Sequence, residues 1–441
     1  MSDLCKEVTK DLIEFIEKSP DCYHTVENIK KELQLNGYTE LFENEKWNVK
    51  NGGKYYVIRN LSSIIAFDVP NQEYQGIMVS SSHSDSPTYK IKQNPEISDE
   101  FYTRINVEGY GGMIASTWTD RPLSVSGRVV VKTENGIKTK LVNVDKDLIV
   151  IPNMAIHLNR KVNDGYAYNP AKDMIPLFSG KKPAKKFTEI ISENSNVDFK
   201  DILGYDLFLY NRTKGTIWGC DDEFFSSPRI DDVQCAYMTL QGFLKSKKTN
   251  ALKLYCVFDN EEVGSGTKQG AKSTFFTDVL IRVNNSLGFD FEKLNIEISS
   301  GFMISADNGH AVHPNLQEFS DKTNKPIMNN GIIIKYNANQ KYTTDAISDA
   351  MFRKICNTAD IPYQTYSNRS DIAGGSTLGN LLNEKLSINT IDIGTAQLAM
   401  HSAYETAGVK DNYYLLEAMK AFFSTEIKVR GVGEYEISVL G

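Results

Sequence analysis

Six residues bring metal-ligand or proton-transfer chemistry to places where the sequence pattern changes: His83, Asp231, Glu261, Glu262, Asp307 and His401. Two imidazoles, two aspartates and two glutamates form a donor set suited to a pair of Zn²⁺-like ions. Two metals roughly 3.5–4 Å apart need one bridging carboxylate and a terminal histidine and carboxylate each. That arrangement uses five ligands and leaves one glutamate as a base on the water between the metals. Each residue also has a plainer reading. Glu261-Glu262 alone is a solvated acidic turn, and Asp231 and Asp232 are candidate helix N-caps, with one of them doing only that. His83-Ser84-Asp85 alone is a chance match. A histidine that binds metal needs its second ring nitrogen held by an acceptor, and a carboxylate at Asp85 can supply that hold.

The elements that must position these residues are legible around them. Leu252 to Phe258 is an apolar run that reads as a buried strand, too short for a helix. It leads into Asp259-Asn260-Glu261-Glu262-Val263-Gly264-Ser265-Gly266, where the glycines break the pattern and a helix is predicted from about Thr267. Gly76 to Val79 predicts a strand running into His83. Ser226 to Asp232 is a loop opening a helix with Val233, Tyr237, Leu240 and Leu244 on its apolar stripe. Strands are also predicted at Phe302 to Ser305 before Asp307, at Ile332 to Tyr336, and at Ser387 to Ile393 before His401. Ligands in an open α/β sheet bind outside the carboxyl ends of its strands, which is where these residues fall.

Between 93 and 210 the texture differs. Leu123 to Val131 alternates like a half-buried strand, and Glu134-Asn135-Gly136 is a hairpin turn before Lys138 to Val142. Few helical patterns occur there, so 93–210 reads as a β-rich insertion that interrupts an α/β domain made of 1–92 and 211–441. His157 is the one histidine of the insertion, and 161–200 is polar, lysine-rich and read as loop. Helices are expected over 5–36, broken at Ser19-Pro20, with His24 after the break.

The chain has 441 residues, with 41% hydrophobic and 24% charged residues and a net charge of −7. That composition is ordinary for a soluble globular protein and gives no footprint for nucleic acid or an anionic membrane. No stretch approaches the roughly 20 apolar residues of a membrane span. The amphipathic N-terminus, with acids in it, is not read as a signal peptide. The six scattered cysteines lack a CxxC pair and read as reduced, so a cytoplasmic location is expected.

Several motifs taken in order resemble the aspartyl aminopeptidases. They are His83-Ser84-Asp85-Ser86-Pro87, Arg229-Ile230-Asp231, Asp259 to Ser265, Ser305-Ala306-Asp307 with His310 to Asn315, Ser370-Asp371 with Gly374 to Thr377, and Met400-His401-Ser402. The resemblance runs from about residue 19 to about 405. It implies a dinuclear zinc exopeptidase: a mixed-sheet catalytic domain with helices on both faces, interrupted by a β-rich oligomerisation domain. His83 and Asp307 would bind one metal and Glu262 and His401 the other, with Asp231 bridging. Asp85 would orient His83, and Glu261 would be the general base, taking a proton from the attacking water and returning it to the leaving amine.

The family's inserted domain builds dimers that assemble into a dodecamer, and the resemblance implies that His157 reaches a neighbouring subunit's site. Substrates would be peptides with a free N-terminus, preferably Asp or Glu. Lys335 is the first candidate to recognise such a side chain and Tyr342 the second, with His313 a possible pocket residue. The chain departs from the family pattern at 161–220, at Asn308-Gly309 where bulkier residues are usual, and at Lys341 where arginine is common. These departures bear on side-chain preference and leave the ligand set untouched. The alternatives are a broader-specificity metallo-aminopeptidase and a non-catalytic scaffold, the latter opposed by an intact ligand set and Glu261.

Overall fold

The computed structural model describes residues 2–440. Among them the strands form four sheets, of nine, six, five and two strands. The nine-stranded sheet carries the candidate ligands. At its centre strands Leu252–Phe258, Ile77–His83, Phe302–Ala306 and Asn389–Gly394 lie side by side in that order, all parallel. Antiparallel strands Ser63–Asp68 and Ile332–Tyr336 flank this group and make the sheet mixed.

Parallel strands covered on both faces read as unbroken apolar runs, and Leu252–Phe258 shows the cause. All of its residues are buried. Leu254, Cys256 and Phe258 enter one core, while Tyr255 and Val257 enter the core on the opposite face. Helices Phe275–Ser286 and Leu378–Asn383 close the first face, and Ile230–Lys245 and Val409–Phe423 the second. The fold is therefore α/β with helices on both faces. Full burial of one such side chain is worth about 1.5–3 kcal/mol, and a one-residue slip would exchange the two faces. The register is therefore fixed, with His83 opposite Phe258 and Ala306 opposite Ile393. The strand ends are aligned by packing before any metal chemistry enters.

A second, antiparallel sheet of six strands is built from Thr88–Ser98, Tyr102–Tyr110, Leu123–Thr133, Gly136–Asn143, Leu177–Gly180 and Ile202–Asn211. It has its own core, around Val125, Val129, Leu207 and Leu209. Glu134 and Asn135 make the tight turn between its two hairpin strands, since Thr133 pairs with Gly136.

Two local expectations are corrected. The stretch 161–200, read as loop, contains strand Leu177–Gly180 and helix Phe187–Ser195, whose Phe187, Ile190 and Ile191 are buried in the β-rich core. The surrounding lysines hid a short amphipathic helix. The helix read from Thr267 starts instead at Phe275. Asn260 accepts hydrogen bonds from Thr267 Oγ1 and Gln269 Nε2, and Gly270 packs so closely that a Cβ there would lie 2.4 Å from the Ser265 carbonyl oxygen. Side chain and backbone are thus committed to holding the acidic turn. The chain also ends in a hairpin, Thr425–Gly431 with Glu434–Val439, whose Tyr435, Ile437 and Val439 pack on the core.

Close approach at one glycine links the sheet to the site. A Cβ on Gly394 would fall 1.9 Å from the carbonyl oxygen of Asp307. Gly394→Ala is expected to lower stability by about 1–3 kcal/mol through overpacking and to displace Asp307. Chemical denaturation checks the first effect, and metal retention during dialysis the second.

Candidate metal centre

Four strand or turn ends converge. His83 terminates its strand, Asp307 follows Phe302–Ala306, and Glu261 and Glu262 begin one short turn of helix after Leu252–Phe258. His401 stands in a tight turn beyond strand Ala396–Leu398, with φ +66°, in the left-handed region where histidine is tolerated better than most residues. Asp231 lies in the first turn of Ile230–Lys245, and its peptide bond to Asp232 is cis.

The donor atoms fall into groups that share members: His83, Asp231 and Asp307; His83, Glu261 and Glu262; Asp231, Glu262 and His401. Within them, His83 Nε2 is 3.5 Å from Asp231 Oδ1, and His401 Nε2 is 3.4 Å from both Asp231 Oδ2 and Glu262 Oε2. These gaps are long for charge-assisted hydrogen bonds. Two ligands each about 2.05 Å from a tetrahedral zinc are separated by about 3.3 Å, so the spacing suits a shared cation. Asp231 Oδ1 and Glu262 Oε1 are also buried with no hydrogen-bond partner among the described residues. An orphaned carboxylate oxygen is costly unless a charge meets it. The donor set, its spacing and its orphaned oxygens fit divalent metal, and Asp231 offers one oxygen to each side.

The surrounding residues fix these donors. His83 Nδ1 is 3.0 Å from the Asp85 carbonyl and 3.4 Å from the Asp85 carboxylate, so the backbone is the closer hold on the ring. The Asp85 carboxylate instead accepts the amides of Glu261 at 3.1 Å and Glu262 at 3.2 Å. Capping is not what the aspartates do. Arg229 occupies the N-cap position of Ile230–Lys245 without a side-chain cap, Asp231 faces the two imidazoles, and Asp232 accepts the His83 amide at 3.2 Å.

Sequence reasoning passed over Glu405. Its carboxylate receives the backbone amides of Asp231 at 3.0 Å and His401 at 2.7 Å, tying together two candidate ligands from distant segments. Apart from its closeness to His401, nothing in its sequence neighbourhood marks it, since it opens a short strand, Glu405–Gly408. Proximity to Met400-His401-Ser402 was the available signal.

The proposed substrate residues are distributed unevenly. Lys335 is 2% exposed; its ammonium donates to the Asn308 carbonyl at 2.8 Å and lies 3.7 Å from Asp307 Oδ1. Tyr342 is buried with its ring 5.3 Å from that ammonium. His313 is exposed and, with His310, lines a cavity of about 270 Å³ beside the strand ends, walled also by Tyr366, Arg369 and Gln397. His157 is exposed on a turn of the β-rich segment, and no hydrogen bond or ion pair among the described residues joins it to the cluster.

Comparison with known proteins gives the chain its relatives. The family described as aminopeptidase I zinc metalloprotease (M18) matches residues 15–423. A probable M18 family aminopeptidase 2 of Clostridium novyi is 45% identical over 423 residues, covering 94% of this chain and 98% of the relative. Among solved structures, a chain of the Ape4 and Nbr1 complex superposes with TM-score 0.92 at 32% identity, covering 96% of this chain and 86% of that one. The S. cerevesiae mApe1 dodecamer superposes with TM-score 0.84 at 27% identity, covering 96% of each chain.

So many carboxyls in one buried place carry a pH signature. Burial pushes Glu261 up to about 8, with Asp307, Asp85 and Asp231 adding repulsion against the opposing pull of His83. Burial likewise raises Asp307 to about 6 and Glu405 to about 8. Asp231 goes the other way. Burial opposes its charge, but the imidazoles of His401 and His83 beside it hold it below the ordinary range. A carboxyl whose folded value is raised from 3.8 or 4.5 binds more protons folded than unfolded until pH passes the folded value. The metal-free protein should therefore lose stability as pH rises from about 5 to about 8, where these carboxyls ionise against one another. Divalent metal should restore most stability at the upper end, because its ligands must be deprotonated. Thermal midpoints across that range, with chelator and with zinc, check this; a chelated midpoint that climbs with pH would contradict it.

Proposed function

Because the chain belongs to the M18 family of zinc metallo-aminopeptidases, we propose that it removes the N-terminal residue of peptides at a centre of two divalent ions, preferring Asp or Glu at that position. The observation that carries the reading is the pair of donor groups sharing Asp231 at separations that suit cations rather than hydrogen bonds. His83 and Asp307 would hold one ion, Glu262 and His401 the other, with Asp231 shared between the two groups. When bound, the ions lower the pKa of water and polarise the scissile carbonyl. Glu261 takes the proton of the attacking water on its carboxylate and passes it to the leaving amine. Asp85 steadies Glu261 through its amide.

An acidic substrate side chain needs a fixed positive charge, because a chain of net charge −7 offers no long-range attraction. The cavity lined by His313 supports recognition at this end of the sheet, whereas Lys335 and Tyr342 are buried, with the Lys335 ammonium held by the Asn308 carbonyl and Asp307.

We infer further that the β-rich segment 93–210 builds dimers, which associate to a dodecamer, and that His157 enters a neighbour's site. Met154, Ile156 and Leu158 are 56%, 44% and 78% exposed around His157, an apolar cluster that supports contact with a second copy. A solved relative is itself a dodecamer. The cysteines are free, most of them buried, which supports a reducing, cytoplasmic setting.

The direct test is hydrolysis of Asp-, Glu- and Leu-chromogenic amides, with chelator and with zinc, manganese or cobalt restored. Chelator-sensitive cleavage of the acidic amides above the leucine one is expected. Cleavage of the leucine amide instead would keep the mechanism and discard the preference, and no cleavage with metal bound would favour a scaffold. Glu261→Gln should keep its metals and lose activity on the order of 10²–10⁴-fold. For assembly, Leu158→Asp should reduce the particle mass seen by light scattering, whereas His157→Ala should lower turnover without changing that mass.

A further inference from the structure

Where the chain leaves the six-stranded sheet at Tyr110, it runs along the metal centre of its own subunit. The Tyr110 hydroxyl donates to Asp85 Oδ2 at 2.6 Å and accepts from Asn260 Nδ2 at 2.8 Å. Those two residues hold the glutamate turn. Asp85 receives the Glu261 and Glu262 amides, and Asn260 stands immediately before Glu261 with φ +64°. One oxygen atom from the β-rich sheet thus fixes both supports of the base and its neighbouring ligand.

The following residues continue along the site. Gly111, at φ +73°, packs so closely that a Cβ there would lie 3.1 Å from Glu262 Cβ. The Ile114 amide donates to the His401 carbonyl at 3.0 Å, and Thr117 Oγ1 accepts the Ala403 amide at 2.9 Å. The strap therefore touches both the glutamate turn and the His401 turn.

Packing alone does not explain the hydroxyl. The Tyr110 ring meets Phe208 edge to face at 5.7 Å between centroids, a contact phenylalanine would make equally well. A buried phenol requires hydrogen-bond partners and costs stability without them. Here the partners are the two residues that shape the acidic turn.

We propose that Tyr110 is a positioning residue of the aminopeptidase reaction, setting Glu261 and Glu262 through Asp85 and Asn260, so that the β-rich sheet completes the metal centre of its own chain. This rests on the reading of that centre given above. Residues that orient metal ligands from outside typically change metal affinity or activity about 10–100-fold when altered.

Tyr110→Phe removes one oxygen and keeps the ring. Its kcat on the preferred chromogenic amide should fall about 10–100-fold, with KM changed less than about twofold, as for a group that acts on the transition state rather than on substrate binding. Its cobalt-substituted form should show an altered visible absorption spectrum and release metal to chelator more readily, while its thermal midpoint stays close to that of the parent. Asn260→Asp keeps the left-handed backbone accessible and the oxygen that accepts from Thr267 and Gln269, and removes the amide that donates to Tyr110, so it decides the question if the phenylalanine variant does not fold. A variant with parental kcat and parental cobalt spectrum overturns the proposal, as does a loss of turnover matched by an equal loss of folded protein. A parent protein that binds metal but cleaves no amide would remove the premise instead, and the cobalt spectra of parent and variant would then still decide whether the hydroxyl shapes the site.

Discussion

The site depends on one carboxylate being shared. Asp231 is buried, faces an imidazole on each side at 3.4–3.5 Å, and leaves one oxygen with no hydrogen-bond partner among the described residues. With protons alone this is an expensive arrangement, because Glu261, Glu262 and Asp307 crowd the same volume and are pushed toward their neutral forms. Divalent cations reverse that balance by giving every carboxylate an opposite charge to meet. The acidic cluster is therefore a place prepared for positive charge, and the fold's task is to keep it from relaxing.

That task falls to two layers. Sheet packing aligns the strand ends, since slipping any central strand would exchange the residues of two cores. Outside the candidate ligands, carboxylates that face backbone amides lock the turns: Asp85 for Glu261 and Glu262, Glu405 for Asp231 and His401. Charge-assisted hydrogen bonds to backbone are well suited to this role, because they fix the chain and leave the ligand side chain free to point inward. A donor set assembled from the far-apart segments around residues 83, 231, 261, 307 and 401 keeps its geometry because each segment is pinned at its main chain.

Much of this was legible in the sequence, for definite reasons. Leu252 to Phe258 and Ile332 to Tyr336 are apolar runs bounded by turn residues, and both are strands as read. The metal-ligating residue types stand out because histidines are few and two of them, His83 and His401, fall at or just beyond strand ends. What could not be read was the work of residues whose type is common and whose partner is distant. Glu405 looks like any glutamate, and Tyr110 like any strand tyrosine, until the fold brings them to Asp231 and Asp85. The expectation that one of Asp231 and Asp232 serves only as a helix cap failed because a cap is a local pattern, while their partners are on His83 and His401. Helix Phe187–Ser195 was missed because lysines dominate the composition around it and only a few apolar residues face the core.

The central claim, that Asp231 stands between two cations, is tested most directly by anomalous diffraction at the zinc absorption edge from crystals grown with zinc. The account predicts two anomalous peaks on either side of the Asp231 carboxylate, roughly 3.5–4 Å apart, one beside His83 and Asp307 and the other beside Glu262 and His401. A single peak, or two peaks that do not share Asp231, would contradict it.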